Sequence, residues 1–189
     1  MTLQRLQGAC YVIFHSVERH VSQPRYEHPY RTGDWSSEIY PMPAFPTLVV
    51  SDSERSYRWY QDVLGFVDVF TVRGPSGVPA LAHLRWCRFG DVLLTPARSA
   101  LDEPRGRGIL LNFSADEVDT LAERIRAAGA AIEEGPVDRP WNTRDVTVRD
   151  PDGYRLNFTA PQAAMLQRVA GGEAPSMDAI VSKLRGGPR

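Results

Sequence analysis

The chain is almost without lysine and poor in cysteine. Lys183 is the only lysine, so 21 of the 22 basic residues are arginines. They are scattered among 23 acidic residues, for a net charge of −1. No basic face or run emerges, which excludes the electrostatic footprint of a nucleic-acid or acidic-membrane binder. Cys10 and Cys87 are the only cysteines, far apart and outside any C-x-x-C pattern. That excludes a disulfide framework and a zinc knuckle, and two reduced thiols suit a reducing compartment. No apolar run is long enough to span a membrane. The stretch from Ala9 to Phe14 is broken at once by His15, Ser16 and Glu18, too short for a secretory core. A soluble cytoplasmic protein is expected. No Gly-rich strand-to-helix loop is present, so no dinucleotide or P-loop signal. G-x-S-x-G and S-x-x-K patterns are missing in any fitting context, and nothing near Cys87 in sequence would activate its thiol.

What is present is enough apolar material, 42% of 189 residues, for one domain with additional length. Residues 1–42 read as an irregular N-terminal extension, rich in Pro, Tyr, Ser, Arg and Glu from Ser22 onward. Met42, just before the first strand, is a candidate start of the natural chain. Residues 43–161 form the domain, and residues 162–189 a tail with two short helical patterns, Gln162 to Ala170 and Met177 to Leu184.

Within the domain one grammar occurs twice. Phe45 to Val50 is a short apolar strand, and Asp52 or Ser53 can cap a helix over Glu54 to Leu64, stopped by Gly65. Strand-like runs follow at 66–73, 81–89 and 92–95. After a linker, 109–114 is again a strand. Asp116 caps a helix with Val118, Leu121, Ile125 and Ala128 on one side, and Gly129 ends it. Strands are expected at 131–134, 145–149 and 154–159, with Asp150-Pro-Asp-Gly153 turning between the last two. The repeat is βαβββ, about 60 residues long.

The segment from Asp52 through Ser56, Trp59-Tyr60 and Val63-Leu-Gly-Phe66 resembles the first helix of the vicinal-oxygen-chelate superfamily, the glyoxalase/bleomycin-resistance/dioxygenase group. Val118-Asp119, Leu121, Arg124 and Ala127-Ala-Gly129 resemble its second helix. Pro140-Trp-Asn-Thr-Arg144, Asp150-Pro-Asp-Gly-Tyr154 and Leu156-x-Phe158 resemble the closing strands of the bleomycin-resistance-like branch. The resemblance implies an α+β fold. Its two βαβββ modules form a curved, partly open mixed sheet, with helices on the convex face and the site on the concave one. Strand alternation agrees: Leu111, Phe113, Tyr154, Leu156 and Phe158 face the core, while Leu110, Asn112, Ser114, Arg155 and Asn157 face the cavity.

In metal-dependent members, four strands each supply one ligand. Carried onto this sequence, those positions fall on Phe45, Leu93, Leu110 (or Ile109) and Asn157. Phe and Leu cannot ligate a cation, and one neutral amide is a weak donor. No metal and no other cofactor is therefore expected, and no catalytic residue. His15, His20 and His28 lie in the extension, and His83 reads as a hydrogen-bonded or solvent-facing imidazole.

The expected function is that of a binder: an aromatic or amphipathic small molecule held without turnover, as bleomycin-resistance proteins sequester a drug. Phe45, Thr47, Leu93, Leu110, Asn112, Trp141, Arg155 and Asn157 are the expected ligand contacts. Trp86 reads as core, and Arg144 as a buttress of the loop at Trp141. The resemblance implies a homodimer, and the scattered charge and lack of a spanning run point to no nucleic-acid or membrane partner. Two other readings stay open. One is a lyase, isomerase or dioxygenase holding a divalent metal with displaced ligands. The other is an interaction module whose tails dock a partner protein.

Overall fold

The computed structural model describes residues 40, 42, 44–99 and 105–172; Cys10, the three histidines of the extension and the pattern at 177–184 lie outside them. The first module runs β1 (Thr47–Val50), α1 (Ser53–Trp59), β2 (Val67–Arg73), β3 (Pro79–Cys87) and β4 (Gly90–Pro96). The second runs β5 (Leu110–Ser114), α2 (Val118–Ala127), β6 (Ile132–Asp138), β7 (Thr143–Arg149) and β8 (Arg155–Pro161), and α3 (Ala163–Ala170) follows. The doubled βαβββ order and the α+β class are those expected from the sequence. Each module makes its own four-stranded mixed sheet, in the orders β1-β4-β3-β2 and β5-β8-β7-β6. β1 runs parallel to β4 and β5 parallel to β8, while the remaining pairs are antiparallel.

Local chemistry sets the helix ends. The Asp52 carboxylate accepts from Arg55 N at 3.0 Å, satisfying an orphan amide of the first turn. The helix expected over 54–64 is α-helical only to Trp59; Tyr60–Leu64 form a wider π-turn, with Tyr60, Val63 and Leu64 all buried. Gly65 ends it at φ 92°, where a side chain would also meet the Arg124 guanidinium. α2 starts one residue later than a cap at Asp116 would place it, with Glu117 at the N-cap. Val118, Leu121, Ala122 and Ile125 are its buried residues. Ala128, expected on the packed side, is exposed because the backbone has left helical geometry there, ahead of Gly129 at φ 73°.

Both sheets turn one face to a single shared core. Leu48, Val50, Leu84, Val92 and Leu94 from the first join Val146, Val148, Leu156 and Phe158 from the second. Aromatic rings knit the seam. Trp86 meets Phe158 at 4.8 Å between centroids, and Phe66 meets Phe113 at 5.5 Å. The Trp86 indole donates to Ser114 O at 2.6 Å, so this tryptophan is core, as expected.

A polar clasp completes the seam. The Asp150 carboxylate accepts from the amides of Asp152 and Tyr154, which shapes the β7–β8 turn, and from the Tyr60 hydroxyl at 3.0 Å. Asp152 accepts from Ser56 Oγ at 2.9 Å and Ser51 N at 2.7 Å. The Arg124 guanidinium of α2 donates to the carbonyls of Gln61 and Asp62. Burial, offset in part by these hydrogen bonds, pushes the Asp150 carboxyl up to about 6.

Two outcomes follow from this seam. A carboxyl whose folded pKa lies above its unfolded value binds its proton more tightly when folded. Its stabilisation is full below about pH 4 and is lost as the pH rises through about 6. Denaturant unfolding of Asp150→Asn should therefore lack a loss of stability, on the order of 3 kcal/mol, that the wild type shows across that window. Phe158→Ala should cost about 3–5 kcal/mol, read as one cooperative transition at lower denaturant.

Candidate functional site

With one face of each sheet buried, the other faces turn outward, and they differ in chemistry. On the first sheet, register aligns Thr47, Leu93, His83 and Phe70 in one row across β1, β4, β3 and β2. Phe45 lies two residues before Thr47 and is 40% exposed, and further apolar surface comes from Phe70 (49%) and Val72 (52%). Thr47 is exposed and Leu93 half-buried.

Next to this apolar row is a buried polar group. Asp91 Oδ1 accepts from Arg85 Nε and pairs with His83 Nε2, both at 2.7 Å, and Asp91 Oδ2 accepts from the Tyr40 hydroxyl. Tyr40 Oη in turn accepts from Phe89 N at 2.7 Å, and the Arg85 guanidinium lies 4.4 Å over the Tyr40 ring. Burial and the bond to Asp91 push the Tyr40 phenol up to about 12. Arg85 and Asp91 are both 1% exposed at their side chains, so this ion pair is desolvated and fully hydrogen-bonded. His83 itself is buried, not solvent-facing.

The outward face of the second sheet is polar. Asn112 and Asn157 stand side by side in register. Asn157 Nδ2 donates to Asn112 Oδ1, and Thr147 Oγ1 donates to Asn157 Oδ1, both at 3.0 Å. Two residues further along each strand, Arg155 and Arg149 share Glu133 at 3.0 and 3.1 Å. Leu110, Ile109, Arg107, Arg149 and Arg155 line a cleft of about 500 Å³. Its lining joins the exposed apolar side chains of Ile109 and Leu110 to three arginines.

The structure thus groups the sequence candidates into two sets. Thr47 and Leu93 pair on the first sheet, with Phe45 beside them. Leu110, Asn112, Arg155 and Asn157 lie together on the second. Among the described residues, no hydrogen bond, ion pair or ring contact links one set to the other. Trp141 stands exposed in the β6–β7 turn, with the Arg139 guanidinium 5.8 Å from its ring centre. Arg144 binds Asp119 and Asp138, tying the β6–β7 hairpin to α2.

The four positions onto which the resemblance carries the family's metal ligands, Phe45, Leu93, Leu110 (or Ile109) and Asn157, do not fit a cation. Phe45, Leu93 and Leu110 have no donor atom, and the one carbonyl of Asn157 is engaged by Thr147. Among the described residues, no group of three or more His, Cys, Asp or Glu is placed to hold a metal. Also among them, no helix is long and apolar enough to cross a membrane. Sequence reasoning missed Asp91, Arg85 and Tyr40. The signal was the β3–β4 hairpin, whose alternation puts His83, Arg85, Asp91 and Leu93 on one face.

Residues 44–158 match the family model of the Glyoxalase/Bleomycin resistance protein/Dioxygenase superfamily. A lactoylglutathione lyase of Haemophilus influenzae is 31% identical over 117 residues, covering 59% of this chain and 86% of that protein. Among solved structures, TioX from Micromonospora sp. ML1 is similar with a TM-score of 0.52 and 26% identity, over 62% of this chain and 96% of the other. A glyoxalase/bleomycin resistance protein/dioxygenase from Nocardioides shares the fold at a TM-score of 0.51 and 24% identity, over 74% and 91%. The family match spans more than half of the sequence, and the chain belongs to the glyoxalase/bleomycin resistance protein/dioxygenase superfamily.

Proposed function

We propose that this protein is a metal-independent small-molecule binder that holds an aromatic or amphipathic compound intact, in the manner of a drug-sequestering resistance protein. The observation that carries this reading is the donor set. Three of the four family ligand positions are hydrocarbon, and the fourth spends its oxygen on Thr147. Apolar surface at Phe45, Thr47, Leu93 and Phe70 suits a flat ring system. The arginine-lined cleft at Leu110 and Arg155 suits the polar or acidic end of an amphipathic ligand. Asn112, held in place by Asn157, orients it, and Trp141 offers a stacking surface in its turn. The two sets belong to one site when a second copy of the chain places its first sheet against the second sheet of this one, so the working form is a homodimer in the cytoplasm.

A second reading is a metal-dependent lyase with ligands drawn from elsewhere. It is favoured by the 31% identity to a lactoylglutathione lyase. The two diverge in a simple assay. Calorimetry of the full-length protein against a panel of quinones and glycopeptides should give saturable binding, with the compound recovered unchanged. Protein expressed with added Mn, Fe, Ni and Zn should carry no stoichiometric metal. Conversion of a glutathione thiol adduct, together with one metal per chain, would establish the lyase instead.

Leu110→Glu should weaken binding of a responding compound about tenfold or more, by placing an anion that competes for the cleft's arginines and repels an acidic ligand end. Its melting temperature should stay within a few degrees of wild type, because Leu110 is exposed.

A further inference from the structure

His83 carries an atom that the fold leaves unused. Its Nε2 is bound to Asp91 at 2.7 Å, while its Nδ1 is buried and has no hydrogen-bond partner. The side chain is 5% exposed, and its row on the outward face of the first sheet holds Thr47, Leu93 and Phe70. Asp91 accepts and does not donate, so the ring must present an N–H through Nε2. Arg85 already neutralises Asp91, so the carboxylate requires no second cation. Of the two neutral tautomers, the one protonated at Nε2 is the one Asp91 selects. Nδ1 is then left buried with a free lone pair and no hydrogen-bond partner.

We propose that His83 Nδ1 is the polar anchor of the first sheet's binding face, accepting a hydrogen bond from a phenolic or enolic hydroxyl or ring N–H of an aromatic ligand. Asp91 is the positioning residue that fixes the tautomer, and Arg85 and Tyr40 hold Asp91. The Phe70 ring stands at 90° to the imidazole, 5.3 Å away, and is half exposed. Its half-exposed ring is the aromatic surface beside the imidazole against which the ligand packs. The inference rests on the small-molecule reading above and deepens it: the ligand must carry a donor within an aromatic frame. An isolated apolar compound of the same shape leaves Nδ1 unpaired and is bound less well.

The test uses full-length protein labelled with ¹⁵N in its histidine rings, and two probes of similar shape, 1-naphthol and 1-methoxynaphthalene. The His83 signals are identified as those lost in His83→Gln, whose amide N–H can still reach Asp91. Wild type should show the Nε2–H tautomer at His83, and 1-naphthol should shift its Nδ1 resonance. The naphthol should bind about tenfold more tightly than the ether, and His83→Gln should bring the two within about twofold. An Nδ1–H tautomer, equal affinities in wild type, or a preference that survives in His83→Gln each overturns the inference. If the ether binds wild type as well as the naphthol does, the anchor is wrong and the aromatic-binding reading stands. If neither probe binds, both fall.

Discussion

The β7–β8 turn is the joint on which the molecule depends. The Asp150 carboxylate folds the turn by accepting from the amides of Asp152 and Tyr154, and Asp150 and Asp152 together accept from Tyr60, Ser56 and Ser51 of the first module. Without those bonds a buried carboxylate and a fully buried tyrosine hydroxyl would each lose their solvation for nothing. With them, a tight turn becomes the clasp between two modules. The rings of Phe66, Trp86, Phe113 and Phe158 then fill the space beneath.

That joint commits one face of each sheet to the interior and leaves the other face turned outward. The two outward faces are chemically unlike. The first is hydrocarbon around a buried ion pair, and the second is a ladder of amides, hydroxyls and paired arginines. Neither has a cluster of anionic or imidazole donors at the family's ligand positions. Under the proposed reading the superfamily scaffold is kept without the metal chemistry, since a fold alone does not set function.

Much of this was legible in the sequence, for physical reasons. Period-2 alternation in β5 and β8 revealed which residues face the core, because burial of one sheet face demands it. Glycines at 65 and 129 marked helix ends, because only left-handed backbone closes there. Asp150-Pro-Asp-Gly153 announced a turn. That its carboxylates would also bind Tyr60 and Ser56, about 90 residues earlier, was not readable, because a turn sequence says nothing about what packs on it. The π-turn at Tyr60–Leu64 was equally hidden, since its apolar spacing is also that of an ordinary helix. The separation of the candidate contacts onto two sheets was invisible too: strand parity assigns a face, not the sheet opposite. His83 looked unremarkable on its own, and its meaning came only from the register that sets it beside Leu93, with Asp91 diagonal to it.

The most direct measurement is anomalous diffraction from crystals of the full-length protein grown with manganese or zinc in excess, collected at the metal edge. If the outward faces are built for guests instead of ions, no ordered anomalous peak will lie within coordination distance of residues 45, 93, 110 or 157. A well-occupied peak there, ligated by side chains of the two sheets, would contradict the proposal that this protein binds its ligand without a metal.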